Sequence, residues 1–335
     1  QYLNTDKDNV FRALTWSSVK HMMYDRSFKL IFDREWEDGL QWKSQLRYSQ
    51  TEPTYHLFYQ PVAHAHQSDP GLPYTITPWG PESGKNLANL NRNFLNTTDL
   101  SMTLKYQPGV AYINTKQRRI LVNKEAPIYR ISHTTGFKGF GSDYTYNLTE
   151  IGVRKRVWLH SWGRMDFDFA AGAQWNKVPF PLLIMPKANL SYVYEDDMYY
   201  LVNNMEFFND RYAQLMFNWN LHGKIFNRIP LINRLKIREH IGFNVLWGKL
   251  TDKNNPNLEQ NRHRTDLFIF PGEFKNGVFK PTGYAMDPKV PYVEAAFGIH
   301  NLFKLVHVDY VRRFTYIDDP SIARWGIRFM VRVIF

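Results

Sequence analysis

The stretch Arg324-Trp325-Gly326-Ile327-Arg328-Phe329-Met330-Val331-Arg332-Val333-Ile334-Phe335 reads as one β-strand with two unlike faces. Side chains alternate with period two in a strand. Trp325, Ile327, Phe329, Val331, Val333 and Phe335 therefore share an apolar face, and Arg324, Gly326, Arg328 and Arg332 stand on the other. Such an apolar face is either the core side of a soluble sandwich or the lipid side of a membrane barrel, whose polar side then looks into a wet lumen. The choice turns on whether the pattern recurs at spans near the ~9–11 residues of a tilted membrane-crossing strand.

It recurs along the chain. Met165, Phe167, Phe169, Ala171, Ala173 and Trp175 alternate with Arg164, Asp166, Asp168, Ala170, Gly172 and Gln174. Ala213, Leu215, Phe217, Trp219 and Leu221 alternate with Gln214, Met216, Asn218, Asn220 and His222. The same texture runs through Leu40 to Tyr48, Leu100 to Tyr106 and Ile241 to Trp247. A Lys or Arg on the lipid face near the midplane would cost roughly 2–4 kcal/mol, and the charges do keep mostly to the other face. Tryptophans collect near strand ends, at Trp36, Trp42, Trp158, Trp162, Trp175, Trp247 and Trp325, where interfacial girdles belong. A soluble sandwich, with strands averaging ~5–6 residues, fits this many long one-sided runs less well. The predicted fold is an all-β antiparallel transmembrane barrel. Its twelve strands lie near 11–21, 25–36, 40–49, 99–106, 128–137, 146–159, 164–176, 212–222, 238–249, 292–301, 305–315 and 324–335.

The bulk numbers agree. Mean hydropathy is −0.47, and no run approaches the ~20 apolar residues of a membrane helix. Aromatic residues make up 16% of the 335 residues, which calls for a surface to hold them. Nothing breaks the texture into separate domains, so 1–335 reads as a single barrel domain. The start at Gln1, without a signal sequence, leads us to expect that periplasmic domains and the first strands precede it. Cysteine is absent, which removes disulfides and thiolate chemistry. The formal charge of +11 is scattered rather than gathered into a basic cluster, so anionic lipid, including lipopolysaccharide, is the expected partner and nucleic acid is not.

Barrels of this kind put the carboxy-terminus and the short turns in the periplasm and the long loops outside. Counting back from Phe335 makes Trp36 to Leu40, Leu159 to Arg164 and Asn301 to Leu305 periplasmic turns. It makes 50–98, 177–211 and 250–291 extracellular. The connections at 107–127 and 223–237 are longer than that rule prefers.

Several short motifs stand in a fixed order. They are Val178-Pro179, Asn189-Leu190-Ser191, Met205-Glu206-Phe207-Phe208-Asn209-Asp210-Arg211-Tyr212, Arg228-Ile229-Pro230-Leu231-Ile232, Pro291-Tyr292-Val293-Glu294, Gly298-Ile299, Asn301-Leu302-Phe303 and Val308-Asp309. In this the chain, from about Tyr24 onward, resembles a Bacteroidota outer-membrane family of unknown function whose full-length members carry an amino-terminal carboxypeptidase-regulatory-like domain. More distantly the layout resembles the BamA and TamA assembly-factor superfamily, whose barrels of about sixteen strands tuck a long extracellular loop into the lumen. The loop at 177–211 falls where that superfamily places its own, so the resemblance implies that the twelve strands here are the fifth to the sixteenth of a barrel of about sixteen. The superfamily's Arg-Gly-Phe or Arg-Gly-Tyr tip has no counterpart, and Asp210-Arg211-Tyr212 stands loosely in its place.

Candidate site residues follow from charge. A half-buried charge needs a partner, so Arg211, with Asp210, is expected to dock the loop against the lumen-facing Asp166, Asp168, Arg238 and His240; a solvated loop end is the plainer reading. Trp325, Phe329 and Phe335 resemble the terminal signal by which barrels reach the assembly machinery. His56, His64 and His66, with Asp69 nearby, fall short of the three or four convergent ligands a metal site needs. Ser132 and His133 are adjacent in a strand, point to opposite faces and cannot form a dyad. The carboxylate pairs Asp196-Asp197 and Asp318-Asp319 lie in loops. No hydrolase, metallopeptidase or phosphate-loop motif is present. We therefore expect no enzyme, cofactor or metal. The superfamily resemblance implies a component that helps assemble or export outer-membrane or surface molecules, together with other outer-membrane proteins. A channel or structural subunit of a larger complex, and a fragment of a TonB-dependent transporter of roughly twenty-two strands, are the alternatives.

Overall fold

The computed structural model describes residues 21–36, 38–55, 57, 59–65, 94–116, 119–123, 125–195, 197–275 and 278–331. The first predicted strand, 11–21, lies outside the described residues except for His21, and so does Phe335. Eleven strands pair in one sheet: β1 (His21–Glu35), β2 (Leu40–Tyr55), β3 (Leu95–Tyr106), β6 (Ile128–Gly136), β7 (Tyr146–Trp158), β8 (Arg164–Gln174), β10 (Arg211–Asn220), β11 (Arg238–Lys249), β15 (Tyr292–Leu302), β16 (Val306–Arg313) and β17 (Trp325–Val331). Each pairs antiparallel with the next. Short pieces decorate the connections: the hairpin β4 (Tyr112–Asn114) with β5 (Arg119–Leu121), the hairpin β12 (Gly272–Lys275) with β13 (Val278–Pro281), and a parallel contact of β9 (Phe207–Phe208) with β14 (Tyr284–Ala285). One helical turn, α1 (Val62–Ala65), follows β2. Among the described residues no helix is long and apolar enough to cross a membrane.

Register keeps the two faces apart across the whole sheet. Val153, Phe169, Leu215, Val245 and Val293 form one cross-strand row. Ile241, Phe297, Tyr310 and Ile327 form another on the same face. This face carries exposed apolar side chains on every strand, from Leu30 at 63% to Phe297 at 51% and Ile327 at 47%. The opposite face holds the alternating polar residues. Over β10 to β17 it is buried by the long connections, so the apolar core sits between that half of the sheet and its loops. Tyr199, Val202 and Phe207 pack there on Met216, Leu246 and Tyr292, and Tyr194, Tyr200 and Leu201 pack on Ala296 and Val311. A third cluster, including Tyr59, Phe180, Phe208, Phe268 and Phe270, joins the long connections at one end.

The two ends of the sheet differ as expected. Tight turns at 36–39, 159–163 and 303–305 join strands at one end and the three longest connections lie at the other, but 107–127 and 221–237, at the tight-turn end, are long as well. The turn after β7 depends on Gly163, at φ 81° and ψ −140°, a region open in practice to glycine alone. A Cβ there would also stand 2.0 Å from the Asn220 carbonyl oxygen. Strand limits match the periodicity to within a few residues; the largest difference is β2, which continues to Tyr55 rather than stopping near residue 49. Gly163→Ala is expected to lower the urea midpoint by an amount equivalent to about 1–3 kcal/mol, and an unchanged midpoint would contradict this turn geometry.

Candidate functional site

The connection between β8 and β10 folds back over the polar face of β10, β11, β15, β16 and β17. It is ordered by its own residues first. Asn189 accepts from the Ser191 amide at 2.9 Å and donates to the Val193 carbonyl at 2.8 Å, bending the chain as Asx turns do. Isolated bridges tie Ile184 to Asn209 and Ala188 to Tyr199.

Three charged residues of the sheet then hold the dipeptide Tyr200-Leu201. Glu294 accepts the Tyr200 amide at 2.9 Å and the Leu201 amide at 3.1 Å, together with the Asn244 side-chain amide at 2.9 Å and the Tyr292 hydroxyl at 2.7 Å. Arg328 donates to the Tyr200 carbonyl, and Arg313 to the Leu201 carbonyl at 3.1 Å. Arg313 also meets Glu206 of the loop in a bidentate pair at 2.5 and 3.1 Å, with side-chain exposures of 0% and 2%. Its remaining hydrogens go to the carbonyls of Thr315 at 3.0 Å and Tyr316 at 2.8 Å, so all five guanidinium donors are used. Its guanidinium also stacks over the Tyr292 ring, 4.9 Å from the centroid. Burial and the nearby Glu206 carboxylate push the Tyr284 phenol above its ordinary range, which keeps it protonated and donating to Glu206 at 3.1 Å.

The loop also reaches the edge of the sheet. The Tyr194 amide donates to the Phe329 carbonyl at 2.8 Å, and the Phe329 amide to the Tyr192 carbonyl at 2.9 Å. The side of β17 that faces away from β16 is thus paired at this point with the loop. Phe329, expected as part of a terminal signal, takes part through its backbone. Trp325 is 60% exposed and stacks on Tyr310.

The expected docking of Arg211 is corrected. Arg211 opens β10 on the exposed apolar face, lying over the Trp175 ring at 5.7 Å, whereas Asp166 and Asp168 stand on the polar face. The sign of the docking is reversed: the loop supplies the carboxylates Asp197 and Glu206, and the sheet supplies the guanidinium groups. Arg154 of β7 pairs with Asp168 and reaches Asp197 at 2.7 Å, while Asp166 pairs with Arg156 at 2.6 Å and Arg164 at 3.1 Å. These pairs border two adjoining cavities of about 450 and 490 Å³ on the polar face. Asp210 is buried at the long-loop end, where it accepts from Thr251 and from Asn254 at 3.0 Å. Arg238 stands in register with His300. His240 meets Asp309 at 2.6 Å and Asn218 at 3.2 Å.

The other candidates stay apart. His56, His66 and Asp69 lie outside the described residues, as does the side chain of His64. His133 meets Thr149 at 2.9 Å on the face opposite Ser132, and Asp319 caps the turn at Ser321. Asp266 is held below the ordinary carboxylate range by its hydrogen bond to Arg264.

With this geometry in view, the chain belongs to the C-terminal domain of a family of unknown function, DUF5686, whose model matches residues 7–259. No curated protein matches it. Among solved structures, BamA from Haemophilus ducreyi lacking POTRA domains 1-3 is similar over 92% of this chain and 54% of that one, at 11% identity and a TM-score of 0.48. The chain thus spans about half the length of that structure.

Removing one member of a buried ion pair strands the other. Arg313→Met is expected to destabilise the protein by about 3–5 kcal/mol. The double variant Arg313→Met/Glu206→Leu should recover part of that loss in urea unfolding. A double variant as unstable as the sum of the singles would show that the pair does not act as a unit.

Proposed function

We propose that the chain forms the wall of a β-barrel in the bacterial outer membrane, closed through further strands between β1 and β17, with the connection between β8 and β10 as an internal plug. The observation that carries this reading is the exposed apolar face present on all eleven strands. Soluble monomers rarely expose contiguous apolar patches larger than a few hundred Å², and such a surface suits lipid. Lipid, including the apolar part of lipopolysaccharide, is its partner on that face. The short-turn end, with the carboxy-terminus, lies in the periplasm.

Within that reading the protein is a non-enzymatic envelope component that helps assemble or export outer-membrane or surface molecules, in company with other outer-membrane proteins. The buried anchoring of the plug favours this over an open channel, since conduction would require stripping Glu206 from Arg313. The two polar cavities are what favour the channel reading, and single-channel recording in a planar bilayer separates the two. Steady conductance by the folded protein would overturn the plugged reading.

Two outcomes test the rest. Phe297→Arg, on the exposed face, should cost about 2–4 kcal/mol on folding into lipid vesicles, whereas a neutral effect would argue against lipid contact. Depletion of the full-length protein in its host should lower several other barrels or surface lipoproteins in quantitative outer-membrane proteomics. An unchanged proteome would sink the assembly role.

A further inference from the structure

Three neighbouring strands bring two histidines and an aspartate together on the buried polar face. His240 on β11, Gly298 on β15 and Asp309 on β16 occupy one cross-strand row, and His300 follows Gly298 by two residues on the same face. His240, His300 and Asp309 are all buried, and one ligand atom from each lies within 4.8 Å of the others. His240 Nδ1 stands 2.6 Å from Asp309 Oδ1, and His300 Nε2 stands 3.1 Å from each Asp309 oxygen.

We propose that His240, His300 and Asp309 bind a divalent transition-metal ion of the zinc class, held between β11, β15 and β16. Two imidazole nitrogens and one carboxylate oxygen, with no thiolate, are the donor set that zinc, copper, nickel and iron favour. Bonds of ~2.0–2.2 Å in a tetrahedral site place ligand atoms about 3.4 Å apart, so binding requires the His240 and His300 rings, stacked with centroids 4.4 Å apart, to turn until both lone pairs converge on one point beside Asp309.

Three features of the surroundings point the same way. His240 Nε2 faces the Asn218 side-chain oxygen at 3.2 Å. Without an ion, His240 Nδ1 and Asp309 Oδ1 share a proton in a hydrogen bond; binding through Nδ1 would displace that proton and leave Nε2–H to donate to Asn218. The outward ring nitrogen donating to an oxygen acceptor is the usual second partner of a metal-bound histidine. Next, Gly298 leaves room at the point of convergence, where a Cβ would stand 2.0 Å from Asp309 Oδ1 and 2.9 Å from His300 Nε2. Finally, His307 packs edge-on to His300, with centroids 4.6 Å apart, and restrains its ring.

Asn218, the partner of His240 Nε2, also lines the cavity of about 490 Å³. Beside the site the β15–β16 ladder shifts register between Ile299 and Leu302. A bound ion would tie the strands where their own hydrogen bonding is interrupted.

The test is made on the full-length protein, purified without a histidine tag, freed of metal with a chelator and dialysed against zinc. Elemental analysis should give about one zinc per chain, cobalt(II) should produce the visible absorption of a tetrahedral site, and zinc should raise the unfolding midpoint. Gly298→Ala, which keeps every ligand but fills the space, and Asp309→Asn should lose the zinc and the cobalt bands. His133→Ala, at an exposed histidine, should keep both. Metal-free wild-type protein after zinc dialysis would overturn the proposal outright, without reference to any variant, and leave a proton shared between His240 and Asp309. Zinc retained by correctly folded Gly298→Ala and Asp309→Asn would overturn it too, by placing the ion elsewhere.

Discussion

A guanidinium and a carboxylate enclosed on the polar face of a sheet must satisfy each other, because each alone carries a desolvation cost of several kcal/mol. Arg313 and Glu206 are in that position, and they belong to different parts of the fold, β16 and the connection between β8 and β10. The loop therefore cannot lift away from the sheet without leaving both ions unpaired. The contrast with Arg154 and Asp197 is one of magnitude. Those groups are 51% and 47% exposed, so their pairing contributes at most about 0–1 kcal/mol and orients the loop rather than holding it. The seat of the loop is consequently set at its Tyr200 to Glu206 end, beneath β15, β16 and β17.

That seat is compatible with an apolar exterior because strand alternation separates the two demands. Along β16, His307, Asp309, Val311 and Arg313 turn inward while Val308, Tyr310 and Arg312 turn outward. Apolar residues do not vanish from the polar face: Tyr292, Ala296 and Val311 surround Glu294 and Arg313 and pack against the loop. They exclude water from the ion pair, which raises the cost of breaking it. Aromatic packing and ion pairing are thus parts of one anchor, with Arg313 stacked on Tyr292 and paired with Glu206 at once.

The periodicity made most of the sheet legible. Arg164 to Gln174, for instance, carries its alternation without interruption, and β8 ends within two residues of the limit expected at 176. The placement of Arg211 was legible in the same way: Ala213, Leu215 and Phe217 face outward, so a residue two positions before Ala213 does as well. Charge pairing suggested otherwise, but parity governs a residue already inside a strand. Glu294, Gly298 and Asp309 stood within the ordered motifs, yet their convergence depends on register between strands, which a single sequence does not specify. Glu206 also stood in an ordered motif, but its partner lies over a hundred positions away, at Arg313, and is reached only through the fold of an irregular loop. The connection's isolated bridges have no periodicity to read.

The last described strand shows how closely the loop and the sheet are linked. Arg328 and Phe329 are consecutive in β17, and alternation sends their side chains to opposite faces. Arg328 turns to the polar face and holds the Tyr200 carbonyl, while Phe329 turns to the apolar face and offers its backbone amide and carbonyl, on the side away from β16, to Tyr192 and Tyr194. An edge strand with unpaired backbone groups is a template for another strand. At Phe329 that template is already filled by the loop, and the filling rests on the same anchor that seats Tyr200 and Leu201. Freeing the edge at Phe329 therefore requires unseating residues 192–194, whose neighbours Tyr200 and Leu201 are fixed by Glu294, Arg313 and Arg328. Access to the polar face and access to the edge of β17 are, in this molecule, coupled through a single loop.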